Sequence, residues 1–338
     1  MANPGGQSLD FEAPILELER RIRELEALAA SQQMALGPEI RRLKEQAAKR
    51  SADIFAGLNA WQRTQVARHP LRPQAIDFVR ALGTDIIELH GDRGFRDDRA
   101  LAVGLARLDG QRVLFIANRK GRDTRERLAA NFGMPHPEGY RKALLKMRLA
   151  AKFRVPVVVF IDTPGAYPGI GAEERGQAQA IAENLRAMAL LPVPILILVT
   201  GEGFSGGALA VGVGDRVALL ENAVFSVISP EGCAAILWKD SAKAPQAAEV
   251  LKLTAKDLQG MGVIDDVIPE PSGGAHRDPR AAFDHVRAYL LRTLGALSSL
   301  PVERLLQERY ERYRRLGEFL EDSARASVSR APSTPTGF

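Results

Sequence analysis

One cysteine, Cys233, in 338 residues leaves nothing for an internal disulfide framework or a cysteine-based metal site. The five histidines are scattered without H-x-x-x-H or H-E-x-x-H spacing, so no metal is expected on this chain. Aromatic residues make up only 6% and do not interleave with the arginine clusters, which argues against a nucleic-acid surface. No run of about 18 apolar residues occurs, so no membrane span is expected. The N-terminus mixes acids and bases and shows no apolar signal region, which makes a reducing, cytoplasmic location the default expectation.

What is present is ordinary globular composition: 46% hydrophobic and 26% charged, ample for a large core in one or two domains. The net charge is +5, with arginines clustered over Arg119–Arg127 and Arg304–Arg315. The second cluster reads as a solvated helix face. The first follows a strand and is placed to meet a phosphorylated or carboxylated ligand.

Residues 1–10 read as a disordered tail, and residues 11–82 as an N-terminal helical region. In that region Ile15, Leu18, Ile22, Leu25 and Leu28 recur at helical steps, and Gly37-Pro38 breaks one helix and opens the next, giving a helical hairpin. Residues 61–72 read as irregular and basic, and residues 73–82 as a further helix. An α/β core is expected over 83–275. Runs at 102–108 and 112–118 are joined by Asp109-Gly110, a strong hairpin signal. The apolar runs Val155–Ile161 and Ile195–Val199 read as buried strands, with a helix from Glu173 to about Leu190 between them. C-terminal helices are expected over 276–321, and a Ser/Ala/Pro/Thr-rich disordered tail over 322–338.

The chain is organised around residues 195–215. A buried strand there runs into Gly201-Glu-Gly203-Phe204-Ser205-Gly206-Gly207, and small apolar residues then open a helix. The first amides of a helix lack partners within it and carry partial positive charge. Without a Cβ at Gly206 or Gly207, a ligand oxygen can approach those amides closely, which suits an anion that is permanent or develops during a reaction. Two other patterns fit the same letters. Gly201 to Gly206 matches G-x-G-x-x-G with Glu221 as the ribose acid, but only about eight residues precede the next strand, too few for the crossover helix of a dinucleotide fold. Gly203-Phe-Ser205-Gly-Gly207 matches the G-x-S-x-G elbow of serine hydrolases, with Asp265 or Asp266 and then His276 or His285 as triad partners. The Pro-Gly-rich loop over 162–171 and the glycine turn both follow parallel-type strands, so they share the carboxyl edge of a sheet, where open α/β folds bind ligands.

Several stretches then resemble one family. They are Ile161-Asp-Thr-Pro-Gly-Ala-Tyr-Pro-Gly169, Gly171-Ala-Glu-Glu-Arg-Gly176, Val227-Ile-Ser-Pro-Glu-Gly-Cys233, Asn131-Phe-Gly-Met-Pro135, Gly91-Asp-Arg93, Glu138-Gly-Tyr-Arg-Lys142 and Ile268-Pro-Glu-Pro271. Together, and in order over roughly 10–320, they resemble the carboxyltransferase alpha subunit of bacterial acetyl-CoA carboxylase. The resemblance implies an α/β crotonase-like spiral of ββα units. It implies transfer of a carboxyl group from N-carboxybiotin, carried by biotin carboxyl carrier protein, to acetyl-CoA, giving malonyl-CoA in the first committed step of fatty acid synthesis. The departing CO2 leaves an anion on biotin, which deprotonates acetyl-CoA, so two oxyanions need two holes and no strong protein base.

The resemblance further implies partners: a zinc-ribbon beta subunit in an α2β2 heterotetramer, together with biotin carboxylase. This chain lacks the cysteines for the zinc ribbon. By the same resemblance Gly206 and Gly207 form the catalytic hole. Gly165, Ala166, Tyr167, Pro168, Gly203, Phe204 and Ser205 would line the biotin and substrate pocket, while Glu173, Arg175 and Gln177 read as exposed. Independently of the resemblance, Lys120 and Arg122 read first as solvated charges, with CoA phosphates across the subunit boundary as the alternative. The family usually carries glycine where this chain has Phe204, a strained choice if that position has a positive φ.

Overall fold

The computed structural model describes residues 8–32 and 36–317; of the tail expected over 1–10 it describes residues 8–10, where Asp10 already opens the 3-10 turn Asp10–Glu12, and the tail expected over 322–338 lies outside the described residues. The helices are α1 Ala13–Gln32, α2 Gly37–Ala56, α3 Ala60–Ala67, α4 Ala75–Leu82, α5 Thr124–Ala129, α6 Pro137–Lys152, α7 Ile170–Glu174 and α8 Gln177–Leu190. They continue with α9 Ser205–Leu209, α10 Pro230–Trp238, α11 Ala244–Leu251, α12 Ala255–Gly260, α13 Pro279–Ser298 and α14 Val302–Arg314. The strands are β1 Gly83–Glu88, β2 Leu101–Leu108, β3 Gln111–Asn118, β4 Val157–Thr163, β5 Ile195–Phe204, β6 Arg216–Leu220, β7 Val224–Ser226 and β8 Asp266–Ile268.

All eight strands join one sheet in the order β1-β2-β3-β4-β5-β6-β8, with β7 also paired to β5. β1, β2 and β3 are antiparallel neighbours, and the β2–β3 hairpin turns at Asp109 and Gly110, both with positive φ as its tight turn requires. From β3 onward the pairings are parallel. β5 forks: Leu196–Val199 pairs with β6, and Glu202–Phe204 pairs with β7. That fork gives one long strand two successive neighbours along its length.

β4 and β5 are buried along their whole length, as their unbroken apolar runs demand once helices cover the sheet. The main cluster joins them to β2, β3, α4, α6 and α13 through residues such as Phe78, Phe115, Tyr140, Met147 and Leu290.

Several elements differ from expectation. The basic stretch at 61–72 contains α3, capped by Asn59, whose side chain accepts from Gln62 N. Reading it as irregular overlooked that cap. The helix expected from Glu173 breaks in two at Gly176, whose φ of 81° no ordinary helix accepts. β5 runs on through the glycines to Phe204, because its pairing with β7 compensates for their weak strand preference.

The α1–α2 hairpin docks on its own chain. Ile15 packs with Phe55, Leu58 and Val66, and Glu12 meets His276 Nε2 at 2.9 Å. Beyond Ile22 its apolar stripe opens, and Leu28 is 37% exposed. At the other end α14 is tied in by Arg309, which is 1% exposed. Its guanidinium holds both Asp215 oxygens at 2.8 Å and donates to the carbonyls of Met188, Leu191 and Val193. Arg72 forms a second buried fork, on Glu270 at 2.5 and 2.9 Å, and also donates to Thr200 O within β5. Burial opposes the charge on Glu270, but Arg72 outweighs it and holds that carboxyl down to about 2.

Candidate active site

The chain leaves β5 at Phe204 and enters α9 through Ser205, which carries the left-handed φ of 57°. Phe204 itself is extended, with φ −116° and ψ 144°, so no backbone strain falls on it. Its side chain is fully buried among Ala60, Ala67, Val224, Ala248 and Leu253, with the Arg68 guanidinium 5.6 Å from the ring centroid. Gly203 is buried in the strand, where a Cβ would stand 2.8 Å from Phe225 Cδ2. Neither of these expected pocket residues presents a side chain to a ligand.

Gly206 and Gly207 follow at the mouth of α9. Gly206 is half-buried, and a Cβ there would meet only the end of Ile181, at 3.2 Å from Cδ1. Gly207 is buried against the loop that follows β4: a Cβ on it would lie 2.2 Å from Gly165 C and 2.4 Å from Ala166 N. The two carbonyls are engaged, Gly206 O by Ala210 N at 2.9 Å and Gly207 O by the buried Tyr140 hydroxyl at 3.4 Å. Among the described residues neither glycine N–H reaches a main-chain partner elsewhere in the chain. This is the state expected of the first amides of a helix.

The facing loop is fixed from below. Thr163 Oγ1 donates towards Gly133 O at 2.7 Å or Gly165 O at 2.9 Å and accepts from Gly165 N at 3.1 Å. Gln177 Nε2 bridges Pro135 O and Tyr167 O at 3.0 and 2.9 Å. The Tyr167 ring lies 4.2 Å from that of His136, and Tyr167 N donates to Pro135 O. Gly165 and Ala166 are thus brought beside Gly207, Tyr167 follows them against His136, and Pro168 is exposed. Gln177 is buried, contrary to expectation, because both carbonyls it satisfies belong to this loop region. Arg175 is half-buried on Glu138 at 2.5 Å, and Glu173 is exposed as expected.

Sequence reasoning missed an ionic cluster under the same sheet edge. Lys120 Nζ sits 2.6 Å from Asp162 Oδ1 and 2.8 Å from Glu202 Oε1; Arg68 Nε holds the other Glu202 oxygen at 2.6 Å. Arg68 also reaches Glu231 at 2.6 Å. A cavity of about 340 Å³ opens over this cluster, bordered by His69, Arg127 and Phe132. Burial pushes the Glu202 carboxyl up, but Lys120 and Arg68 outweigh it and hold it down to about 2. No spacing signal pointed to it: Lys120 lies two residues past β3, Asp162 and Glu202 lie near the ends of β4 and β5, and only the parallel register of the three strands brings them together.

A carboxyl held down to about 2 in the fold but near 4.5 when unfolded stabilises the protein above pH 4.5, and that stabilisation is lost as pH falls towards 2. The melting temperature of the full chain is therefore expected to fall between pH 5 and pH 3. Glu202→Gln should flatten part of that slope; scanning calorimetry across the interval reads it, and an unchanged slope contradicts the assignment.

No triad forms around Ser205 among the described residues. Asp265 pairs with Arg312, Asp266 accepts from Tyr289, His276 pairs with Glu12, and His285 Nδ1 contacts Pro269 O. The elbow-like φ at Ser205 is present without the base that would activate a serine.

A spiral sheet with helices at both ends, and a glycine-built helix mouth pressed against a Pro-Gly loop, defines a crotonase-like α/β protein. Solved structures agree on the fold: the Pseudomonas malonate decarboxylase hetero-tetramer in complex with coenzyme A aligns with TM-score 0.53 and 21% identity, covering 69% of this chain and 90% of that one. Transcarboxylase 12S aligns with TM-score 0.52 and 22% identity, covering 64% of this chain and 40% of that one. The family model described as acetyl co-enzyme A carboxylase carboxyltransferase-like matches residues 8–317. The acetyl-coenzyme A carboxylase carboxyl transferase subunit alpha of Syntrophotalea carbinolica is 58% identical over 307 residues, 90% of this chain and 96% of that protein. The chain belongs to this carboxyltransferase family. No helix among the described residues is long and apolar enough to cross a membrane.

Proposed function

We propose that the chain is the alpha half of an acetyl-CoA carboxylase carboxyltransferase, and that the N–H groups of Gly206 and Gly207 hold the oxyanion left when carboxybiotin gives up its carboxyl group. The observation that carries this is the pairing of a half-buried Gly206, at the mouth of α9, with a Gly207 packed on the Gly165–Ala166 peptide. Gly207 has no room for a side chain, and Gly206 beside it is only partly covered, which fits the edge of a flat ureido ring. Carboxybiotin, brought by a carrier protein, supplies the carboxyl group and leaves a negatively charged ureido oxygen. The residues of this chain then bind and orient. Gly206 and Gly207 donate to that oxygen, each worth about 3 kcal/mol by the yardstick of other oxyanion holes. Tyr140 holds the Gly207 carbonyl, and Gly165, Ala166 and Tyr167 wall one side. Lys120 and Arg68 together neutralise Asp162 and Glu202 beneath, so neither carboxylate is a free base among the described residues.

On this reading the acyl-CoA thioester is held by a beta subunit in a heterotetramer, with biotin carboxylase and the carrier protein completing a cytoplasmic complex for fatty acid synthesis. Support comes from the family and from the alpha designation of the relative. The test is reconstitution. The chain alone should make no malonyl-CoA and gain the activity with a carboxyltransferase beta subunit and a biotin donor; activity of the isolated chain, or none with the partner, contradicts the reading. Ser205→Gly, which removes the hydroxyl and relaxes the left-handed φ, should leave reconstituted turnover within about threefold, since general-base or nucleophilic roles cost far more. A fall of 1,000-fold or more, the scale on which a nucleophile is lost, would restore the hydrolase reading.

A further inference from the structure

Next to the cavity over Lys120 lies another of about 340 Å³, and arginine dominates its wall. Arg80 comes from α4, Arg99 from the approach to β2, and Arg119 and Arg122 from the loop after β3; the acids are Asp77 and Glu126. Both acids are occupied. Asp77 Oδ2 accepts from Gln74 N at 2.8 Å and from Arg122 Nη2 at 2.5 Å, and its Oδ1 lies 3.8 Å from Arg80. Glu126 Oε2 accepts from Arg122 N at 2.9 Å. Arg119 Nη2 rests on Glu88 at 2.9 Å, but its Nε is buried with no acceptor. Arg99 is exposed and makes no ion pair among the described residues. With Glu88 behind Arg119 counted, four guanidinium groups stand against three acids, a surplus of one positive charge at the wall.

The loop carrying Arg119 and Arg122 is set in advance. The Gln74 side chain donates to Gly121 O at 2.9 Å and accepts from Gly121 N and Lys120 N at 3.2 and 3.3 Å. Gly121 has φ +84°, and a Cβ there would meet Arg127 N at 2.5 Å. Planar guanidinium forks match phosphate oxygens two at a time.

We propose that this cavity is a binding site for the phosphate of a small molecule, a phosphomonoester or a diphosphate, with Arg99 and Arg119 as its main contacts. The phosphate has two chemical sources: the nucleotide tail of an acyl-CoA thioester, or a free phosphorylated ligand. The site itself is tested on the full chain without any partner, so its failure is separable from failure of the proposed reaction.

Isothermal titration with adenosine 3′,5′-bisphosphate and with inorganic pyrophosphate, at fixed ionic strength, should show saturable binding. Arg99→Glu and Arg119→Gln should each weaken it at least about tenfold, the scale of one charge-assisted contact. Arg287→Glu, on the exposed side of α13, should leave it unchanged, and circular dichroism should show all three variants folded. No saturable binding to the parent chain, an equal loss in Arg287→Glu, or binding of an oligonucleotide but of neither small probe overturns the proposal. In the reconstituted enzyme a raised KM for acetyl-CoA in Arg99→Glu assigns the site to the substrate's tail. An unchanged KM with pyrophosphate binding still lost assigns it to a separate phosphorylated ligand.

Discussion

Gly207→Ala is expected to lower turnover of the reconstituted enzyme at least about 100-fold, the cost of losing one oxyanion-hole donor. The added carbon would sit 2.2 Å from Gly165 C and 2.7 Å from its Cα, and those atoms are backbone. They cannot yield as a flexible side chain does, so the loop or the mouth of α9 must shift. Thr163, which donates once and accepts from Gly165 N, and Gln177, which donates twice, pin the loop to its own or adjacent backbone, so the strain returns to the Gly207 amide. Gly206→Ala is the control: its Cβ meets only Ile181 Cδ1 at 3.2 Å, and that methyl can rotate aside. It should cost less than about tenfold in turnover and leave the melting temperature nearly unchanged, as expected where a side chain rather than backbone absorbs the contact. Steady-state assays of the two variants side by side decide the point; equal losses would mean that the loop contact is not what matters.

Phe204→Gly is expected to destabilise the fold by about 3–5 kcal/mol, the cost of emptying a fully packed aromatic site. The position looks like a defect in a glycine-rich turn. Its extended φ of −116° and complete burial show the opposite. The ring fills the space between α3, α11 and β7 that would otherwise stand open. Restoring the glycine usual in the family should therefore lower the denaturation midpoint and bring no gain in turnover. Chemical denaturation reads the first, and an assay below the new midpoint reads the second. A stable Phe204→Gly chain with turnover raised by orders of magnitude would contradict this placement.

The reason the fourth residue of the turn was misjudged in sequence is instructive. A G-x-G-x-x-G string announces a turn by composition, yet β5 stays a strand through it because β7 pairs with Glu202, Gly203 and Phe204. Strand pairing across 22 residues is invisible to a local reading, and the left-handed φ that would strain Phe204 falls one residue later, on Ser205. The apolar runs of β4 and β5, the Asp109-Gly110 hairpin and the Gly37-Pro38 break were legible because each is a local signal with a local cause. The cap at Asn59 was equally local and was overlooked.

For the site, the glycines and the Pro-Gly loop could be placed on one sheet edge from strand order alone, and the structure adds their direct contact at Gly165 and Gly207. The Lys120–Asp162–Glu202 cluster needed the parallel register of β3, β4 and β5, which no spacing rule in a single sequence supplies.

The central claim is that two main-chain amides stabilise the developing charge. Replacing the residue at 206 or 207 by its α-hydroxy counterpart turns one amide into an ester and deletes a single N–H while leaving every side chain in place. Assayed in the reconstituted complex, either ester should lower kcat about 100- to 1,000-fold with the KM for acetyl-CoA unchanged. Full turnover in both esters would contradict the account.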